Sequence, residues 1–329
     1  MAVLLAALVA MPLCAQQATP GRVSPEWLQS HLGDPDLRVV DLRASIKEYW
    51  TAHIPGAVYL SPEALRLPQG GVPGMLAPPP ILAGILGRLN VTPETRVVAV
   101  SEVNDFHASY LLWALDYLGH RRWALLSGGM KRWAEEKRPL TQDYPVIRST
   151  RYRIPGLRPE VRATLAQVRD GLEDGSILLL DVRPRALYTG EEGTWKRLGH
   201  IKGAVHLFWG DNLTETGAWK SDEDLRAVYE AVGATPDKRI VVYCGQGQMA
   251  SQTYVVLRYL LGYSRVQLYD GSFSEWSNHD DLPVEASAET PQMSGAQAAG
   301  RDLSAEEERP PCPFDPTQEE RPEDDPARN

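Results

Sequence analysis

Short apolar runs alternate with longer stretches of helical periodicity along most of this chain. Ile177 to Leu180 and Ile240 to Tyr243 are bounded by polar residues and glycine, the pattern of strands buried on both faces. Between such runs lie stretches like Ser251 to Leu261, where Val255, Val256, Tyr259 and Leu260 recur at helical spacing. This alternation predicts an α/β fold, a parallel sheet flanked by helices. The pattern occurs twice. Val39-Val40-Asp41-Leu42-Arg43 is echoed by Leu179-Leu180-Asp181-Val182-Arg183, and His53-Ile54-Pro55-Gly56-Ala57-Val58 by His200-Ile201-Lys202-Gly203-Ala204-Val205. Val97 to Val100 matches Ile240 to Tyr243, and Leu118-Gly119 followed by Trp133 matches Leu261-Gly262 followed by Trp276. Landmarks matched in one order mark an internal repeat rather than a chance likeness of two α/β units. The predicted domains are therefore tandem, residues 21–145 and 161–286. A polar, proline-containing link over 146–160, with Arg148, Arg151, Arg153 and Arg158, joins them.

The two ends depart from this pattern. Residues 1–18 contain an apolar run from Ala2 to Met11, too short to span a bilayer and suited to a secretory signal peptide cut after Ala15. Such a leader would deliver the protein to the periplasm or outside the cell. No Lys or Arg precedes the run, which leaves a cytoplasmic protein open. Cys14 leaves a lipid anchor open, although Leu13 stands where a small residue is wanted. From Ser287 to Asn329 the chain is rich in Pro, Ala, Gly, Glu and Asp, with Phe314 as its one aromatic. That composition cannot bury enough apolar surface to offset the entropy of ordering, and it predicts a disordered acidic tail.

Composition narrows the function. The 329 residues are 43% hydrophobic and 23% charged, as in ordinary globular proteins of two domains. A net charge of −9 with no basic stripe argues against a nucleic-acid partner. No segment is long and apolar enough for a membrane span. Cys14, Cys244 and Cys312 fall in leader, second repeat and tail, which gives no disulfide framework and leaves Cys244 as the one placed for chemistry.

The strand Ile240–Tyr243 runs into Cys244-Gly245-Gln246-Gly247-Gln248-Met249, with a helix expected from Ala250 or Ser251. Ligands of open α/β sheets bind beyond the carboxyl ends of the strands, where this order puts the cysteine. Two glycines let the loop curl so that backbone N–H groups point inward, and the following helix N-terminus adds positive partial charge. Such a ring should lower the pKa of a thiol held within it and hold a persulfide or an anionic sulfur donor. A small buried cysteine closing a strand is the competing reading, and Gly-x-Gly at a strand-to-helix turn argues against it.

This loop, the Asp-x-Arg strand and the His-Ile-x-Gly-Ala-Val segment together resemble the rhodanese superfamily in its tandem-domain form. The likeness spans roughly Val23 to Glu285. It implies that Cys244 takes a sulfane sulfur from a donor such as thiosulfate, forms a persulfide, and passes the sulfur to a thiol or cyanide, by ping-pong kinetics. It further implies that Gly245, Gln246, Gly247, Gln248, Met249 and Arg183 bind substrate while Asp181 supports Arg183. In the first repeat the same place holds Ser101 or Glu102, depending on a one-residue gap, so that repeat should be catalytically silent and serve to cover the active one. Two departures leave the donor open, with 3-mercaptopyruvate as the alternative. Leu187 precedes Tyr188 where some relatives carry an Arg, and Gly245 and Gln246 replace loop cations.

Other residues carry less. Sixteen residues separate Arg183 from His200, against nine between Arg43 and His53. The added stretch, with Trp195, Lys196 and Arg197, reads as a solvated loop or as a border of the cleft where Lys196 or Arg197 attracts an anion. His53 and His200 open matched segments and read as structural, as do Trp133 and Trp276. No His and Cys cluster has metal-ligand spacing, and Gly245-Gln246-Gly247 lacks the rest of a dinucleotide motif, so neither metal nor cofactor is expected. A cysteine phosphatase needs an Arg at the end of its loop, and Ala250 stands there. A non-catalytic sulfur carrier with a protein acceptor remains a second reading.

Overall fold

The computed structural model describes residues 21–103 and 106–286. The predicted leader over 1–18 with Cys14 and the predicted tail over 287–329 with Cys312 lie outside the described residues.

Each repeat is a five-stranded parallel sheet. In the first the strands stand side by side in the order Gly21–Val23, Trp123–Leu126, Arg96–Val100, Leu37–Asp41, Val58–Tyr59. In the second, read from the corresponding edge, the order is Arg162–Ala163, Val266–Tyr269, Ile240–Tyr243, Leu178–Asp181, Val205–His206. The strands correspond one for one, as the duplicated landmarks predict. The central strand Ile240–Tyr243 is wholly buried, which its unbroken apolar run required.

The core shows how the repeats share structure. Helix Phe106–Tyr117 is buried on every side from Ala108 to Asp116, so it lacks the polar stripe of a surface helix. It packs against Gln248–Val255, the helix that follows the Cys244 loop, and the main apolar cluster draws on both repeats. Separate clusters, around Trp133 and around Trp276, fill the outer face of each sheet. Asp116, within the shared helix and fully buried, is paired with Arg158 and receives the Tyr254 hydroxyl. A buried carboxylate needs such partners to remain charged.

Two sequence expectations shift. The link over 146–160 contains almost no helix or strand, yet it is strapped to the first repeat. Thr150 N–H donates to Gly87 O at 2.9 Å, Arg158 N–H to Tyr117 O at 2.8 Å, and Tyr152 is buried. The helix expected from Ala250 or Ser251 begins at Gln248 and ends in a π turn over Val256–Leu260, with Leu261 N–H on Val256 O at 2.9 Å.

Candidate active site

The register of the second sheet places the candidate nucleophile. Tyr243 stands opposite Asp181 on the neighbouring strand, so the next residue, Cys244, emerges beyond the carboxyl end with 2% of its surface exposed. Gly247 takes φ +84°, a left-handed conformation that turns the chain into the helix at once, and Ser251 N–H closes the first turn on Gly247 O at 3.2 Å. Gln248 and Met249 therefore belong to the first helical turn rather than to the loop. The backbone N–H groups of Gln246, Gly247, Met249 and Ala250 face the Cys244 thiol. The inward ring expected from the glycines is present.

A second segment braces this ring from outside. Cys244 N–H donates to Ser272 Oγ at 3.2 Å, while Phe273 N–H and Ser274 N–H donate to the carbonyls of Cys244 and Gly245, each at 3.0 Å. Ser272 holds φ +52°, and its hydroxyl donates to Tyr269 O at 2.8 Å.

One electrostatic expectation is overturned. Burial pushes the Cys244 thiol above its ordinary pKa, and the surrounding peptide N–H groups only partly offset that. Stripping water from a thiolate costs more than four peptide dipoles return.

The thiol opens into a cavity of about 180 Å³. Of the predicted site residues, Arg183, Cys244, Gly245, Gln246, Gln248 and Met249 line it. Gly247 does not; its Cα packs against Asp270, and only its N–H serves the site. Arg183 is fully buried. Its Nε donates to both carboxylate oxygens of Asp181 at 2.9 and 3.1 Å, and its Nη2 to Asp181 at 2.6 Å and to Gly199 O at 2.7 Å. Nη1 has no hydrogen-bond partner among the described residues, and the guanidinium lies 4.2 Å from the Phe273 ring centre. Asp181 thus fixes a cation whose remaining donor is unspent.

Leu187 and Trp195 complete the wall. Trp195 comes from the inserted stretch and is held by its Nε1–H on Ser274 Oγ at 2.8 Å. The insertion borders the cleft through this ring and not through its cations. Lys196 pairs with Asp280 at 2.7 Å, and Arg197 donates to the carbonyls of Trp276, Ser277, His279 and Leu282. A lone Trp in a polar insertion was the available signal. His53 and His200 are buried, each with Nδ1 on a tyrosine carbonyl and its ring stacked on that tyrosine, Tyr49 or Tyr188. They hold the fold.

In the first repeat the two bracing hydrogen bonds recur without the thiol. Met130 N–H and Lys131 N–H bond the carbonyls of Ser101 and Glu102, as Phe273 and Ser274 do those of Cys244 and Gly245. Ser101 is therefore the counterpart of Cys244, which closes the one-residue ambiguity. Among the described residues no group of three or more His, Cys, Asp or Glu is placed to hold a metal. Nor is any of their helices long and apolar enough to cross a membrane.

A cysteine cradled by peptide N–H groups at the carboxyl end of a parallel sheet, with a second copy of the same unit that carries Ser101 at that place, defines a duplicated cysteine-loop α/β protein. The chain matches the rhodanese-like domain twice, over residues 24–136 and 164–279, and it belongs to the rhodanese-like family. It is 37% identical over 274 residues to the sulfur carrier protein TtuD of Thermus thermophilus, covering 80% of this chain and 95% of that one. It is 33% identical over 263 residues to the thiosulfate sulfurtransferase of Azotobacter vinelandii, covering 80% and 96%. The crystal structure of SseA from Escherichia coli, described as a 3-mercaptopyruvate sulfotransferase, superposes with a TM-score of 0.69 at 28% identity. That match covers 76% of this chain and 98% of SseA.

Proposed function

We propose that this protein is a sulfurtransferase in which Cys244 carries a sulfane sulfur between a small donor and a nucleophilic acceptor. The observation that carries this reading is a buried thiol facing four peptide N–H groups at the base of a small cavity. Those donors stabilise negative charge wherever it develops on the sulfur atoms. With thiosulfate, the Cys244 sulfur, losing its proton to solvent, attacks the sulfane sulfur. The S–S bond breaks, sulfite leaves with the bonding electrons, and a Cys244 persulfide remains. Cyanide or a thiolate then attacks the outer sulfur and releases the Cys244 thiolate, which is reprotonated. The two steps balance without an outside oxidant or reductant. Arg183, through its unspent Nη1, gives the donor's anionic group one fixed cation, while Leu187, Trp195 and Met249 exclude water.

The cavity of about 180 Å³ suits a donor the size of thiosulfate or a three-carbon thiol acid. Thiosulfate is the donor we put first, with 3-mercaptopyruvate second. The phosphatase chemistry of other cysteine loops lacks its clamp, since Ala250 is a buried alanine. A sulfur-carrier role is favoured by the likeness to TtuD, and a protein acceptor would have to insert a slender terminus to reach a thiol 2% exposed. Export to the periplasm rests on the apolar run over residues 2–11 alone, and N-terminal sequencing of the protein recovered from its native cells tests it.

Thiocyanate formation from thiosulfate and cyanide, measured for the parent and for Cys244→Ser, decides the central point. Turnover abolished by the substitution supports the enzyme. A parent that forms a persulfide yet makes no thiocyanate would favour the carrier.

A further inference from the structure

The silent repeat reaches the reactive loop through one charged pair. Arg66 and Glu63 belong to the first repeat, and the Arg66 side chain is 4% exposed. Its Nη1 donates to Glu63 at 3.0 Å, and its Nη2 to Gln246 O at 3.2 Å, Gln246 Oε1 at 2.8 Å and Gly74 O at 3.0 Å. Glu63 in turn accepts from Gln248 Nε2 at 3.1 Å. Gln246 of the loop and Gln248 of the helix's first turn are thus both gripped by the opposite repeat. The hairpin that begins at Arg66, Arg66–Gln69 with Val72–Leu76, is fastened a second time at the same end, where Leu76 stands opposite Arg66 across the strands. There Leu76 N–H donates to Asp270 Oδ2 at 2.7 Å, and Asp270 packs against Gly247.

We infer that Arg66 is a positioning residue that sets the orientation of the Gln246–Gly247 peptide and thereby aims the Gly247 N–H at the Cys244 sulfur. In a planar trans peptide the C=O and N–H point in opposite directions. Holding Gln246 O outward on a buried guanidinium therefore holds Gly247 N–H inward, where it faces the thiol. The left-handed turn at Gly247 leaves this peptide without a helical partner to orient it. The loop's own cations are absent, and a cation from the other repeat does the orienting from behind the ring. The inference rests on Cys244 being the reacting residue.

Alkylation of Cys244 by iodoacetamide, followed across a pH series, tests it without any sulfur donor. Arg66→Met should slow labelling near neutral pH about three- to tenfold and move the midpoint of the profile upward, because one inward hydrogen bond to the thiolate is lost. Arg66→Lys should fall between it and the parent. Gly74→Ala supplies a second variant that keeps the charge. Its Cβ would sit 2.6 Å from Arg66 Nη2, so the guanidinium is pushed off the loop and the profile should shift the same way. Gly74→Ala decides the question if Arg66→Met does not fold. Faster labelling at an unchanged midpoint would make Arg66 a mere cover of the loop and overturn the inference, as would profiles that superpose on the parent's. Shifted profiles beside a parent that turns over no donor would leave Arg66 in this role and remove sulfur transfer instead.

Discussion

Replacing Arg183 separates two duties that its position combines. The guanidinium and the Asp181 carboxylate are buried to 1% and 0% exposure and joined at 2.6 Å. Arg183→Met leaves that carboxylate buried with its partner gone, a loss of about 3–5 kcal/mol. With roughly 2–4 °C per kcal/mol for a chain of this size, the Tm should fall by about 6–20 °C. Arg183→Lys keeps a charge but cannot reach Asp181 and Gly199 O together, so it should cost less, about 1–3 kcal/mol. Removing both charges, as Asp181→Leu with Arg183→Met, deletes the unpaired carboxylate and should recover much of the lost stability. That double variant still lacks Nη1, so its KM for thiosulfate should remain about tenfold raised. Differential scanning fluorimetry and initial-rate kinetics on the four proteins read both effects. A Tm for Arg183→Met within a degree or two of the parent would refute the buried-pair argument. A double variant with the parent's KM would show that Nη1 does not hold the donor.

Trp195→Ala removes one wall of the cavity and should raise the KM for thiosulfate severalfold, with some loss of Tm because the ring also packs on Phe273 and bonds Ser274; an unaltered KM would put the ring outside the donor's reach. Leu187→Arg introduces a cation into the same wall and should lower the KM for doubly charged thiosulfate more than for singly charged alkyl thiosulfonates, and equal changes would argue against direct contact. Burial keeps the proton on Cys244 in the folded protein at pH values where the unfolded chain loses it. Its contribution to stability is therefore full below the unfolded thiol's pKa of about 8.5 and declines as pH rises beyond it. Cys244→Ser should lose less Tm than the parent between neutral and alkaline pH, and parallel losses would contradict the raised pKa. Lys196→Ala breaks an exposed pair with Asp280 and should alter neither Tm nor KM.

The strands, their duplication and the placing of Cys244 were legible because parallel-sheet strands and Gly-rich turns leave local patterns in the chain. Asp181 and Arg183 could be seen as a pair because they sit two residues apart on a strand end. What the sequence concealed was set by contacts across long separations. Arg66 meets Gln246 over 180 positions, and nothing in Arg66-Leu67-Pro68-Gln69 announces it. Trp195 lies in a polar stretch whose charges drew attention to Lys196 and Arg197, yet its ring closes the pocket while both cations are spent on Asp280 and on carbonyls. The Cys244 pKa went the other way from the expectation because the N–H ring is visible in the glycines, whereas the depth of burial depends on the whole fold. The early helix start at Gln248 reflects the left-handed turn at Gly247, a backbone choice that either glycine of the loop could have made.

Intact-mass analysis of the protein after incubation with thiosulfate and removal of excess donor tests sulfur transfer through Cys244 most directly. The parent should gain the mass of one sulfur atom, located on the peptide carrying Cys244 and discharged by cyanide, and Cys244→Ser should gain none. A parent that gains no sulfur from thiosulfate or 3-mercaptopyruvate, or a Cys244→Ser protein that gains it equally, would contradict a persulfide on this residue.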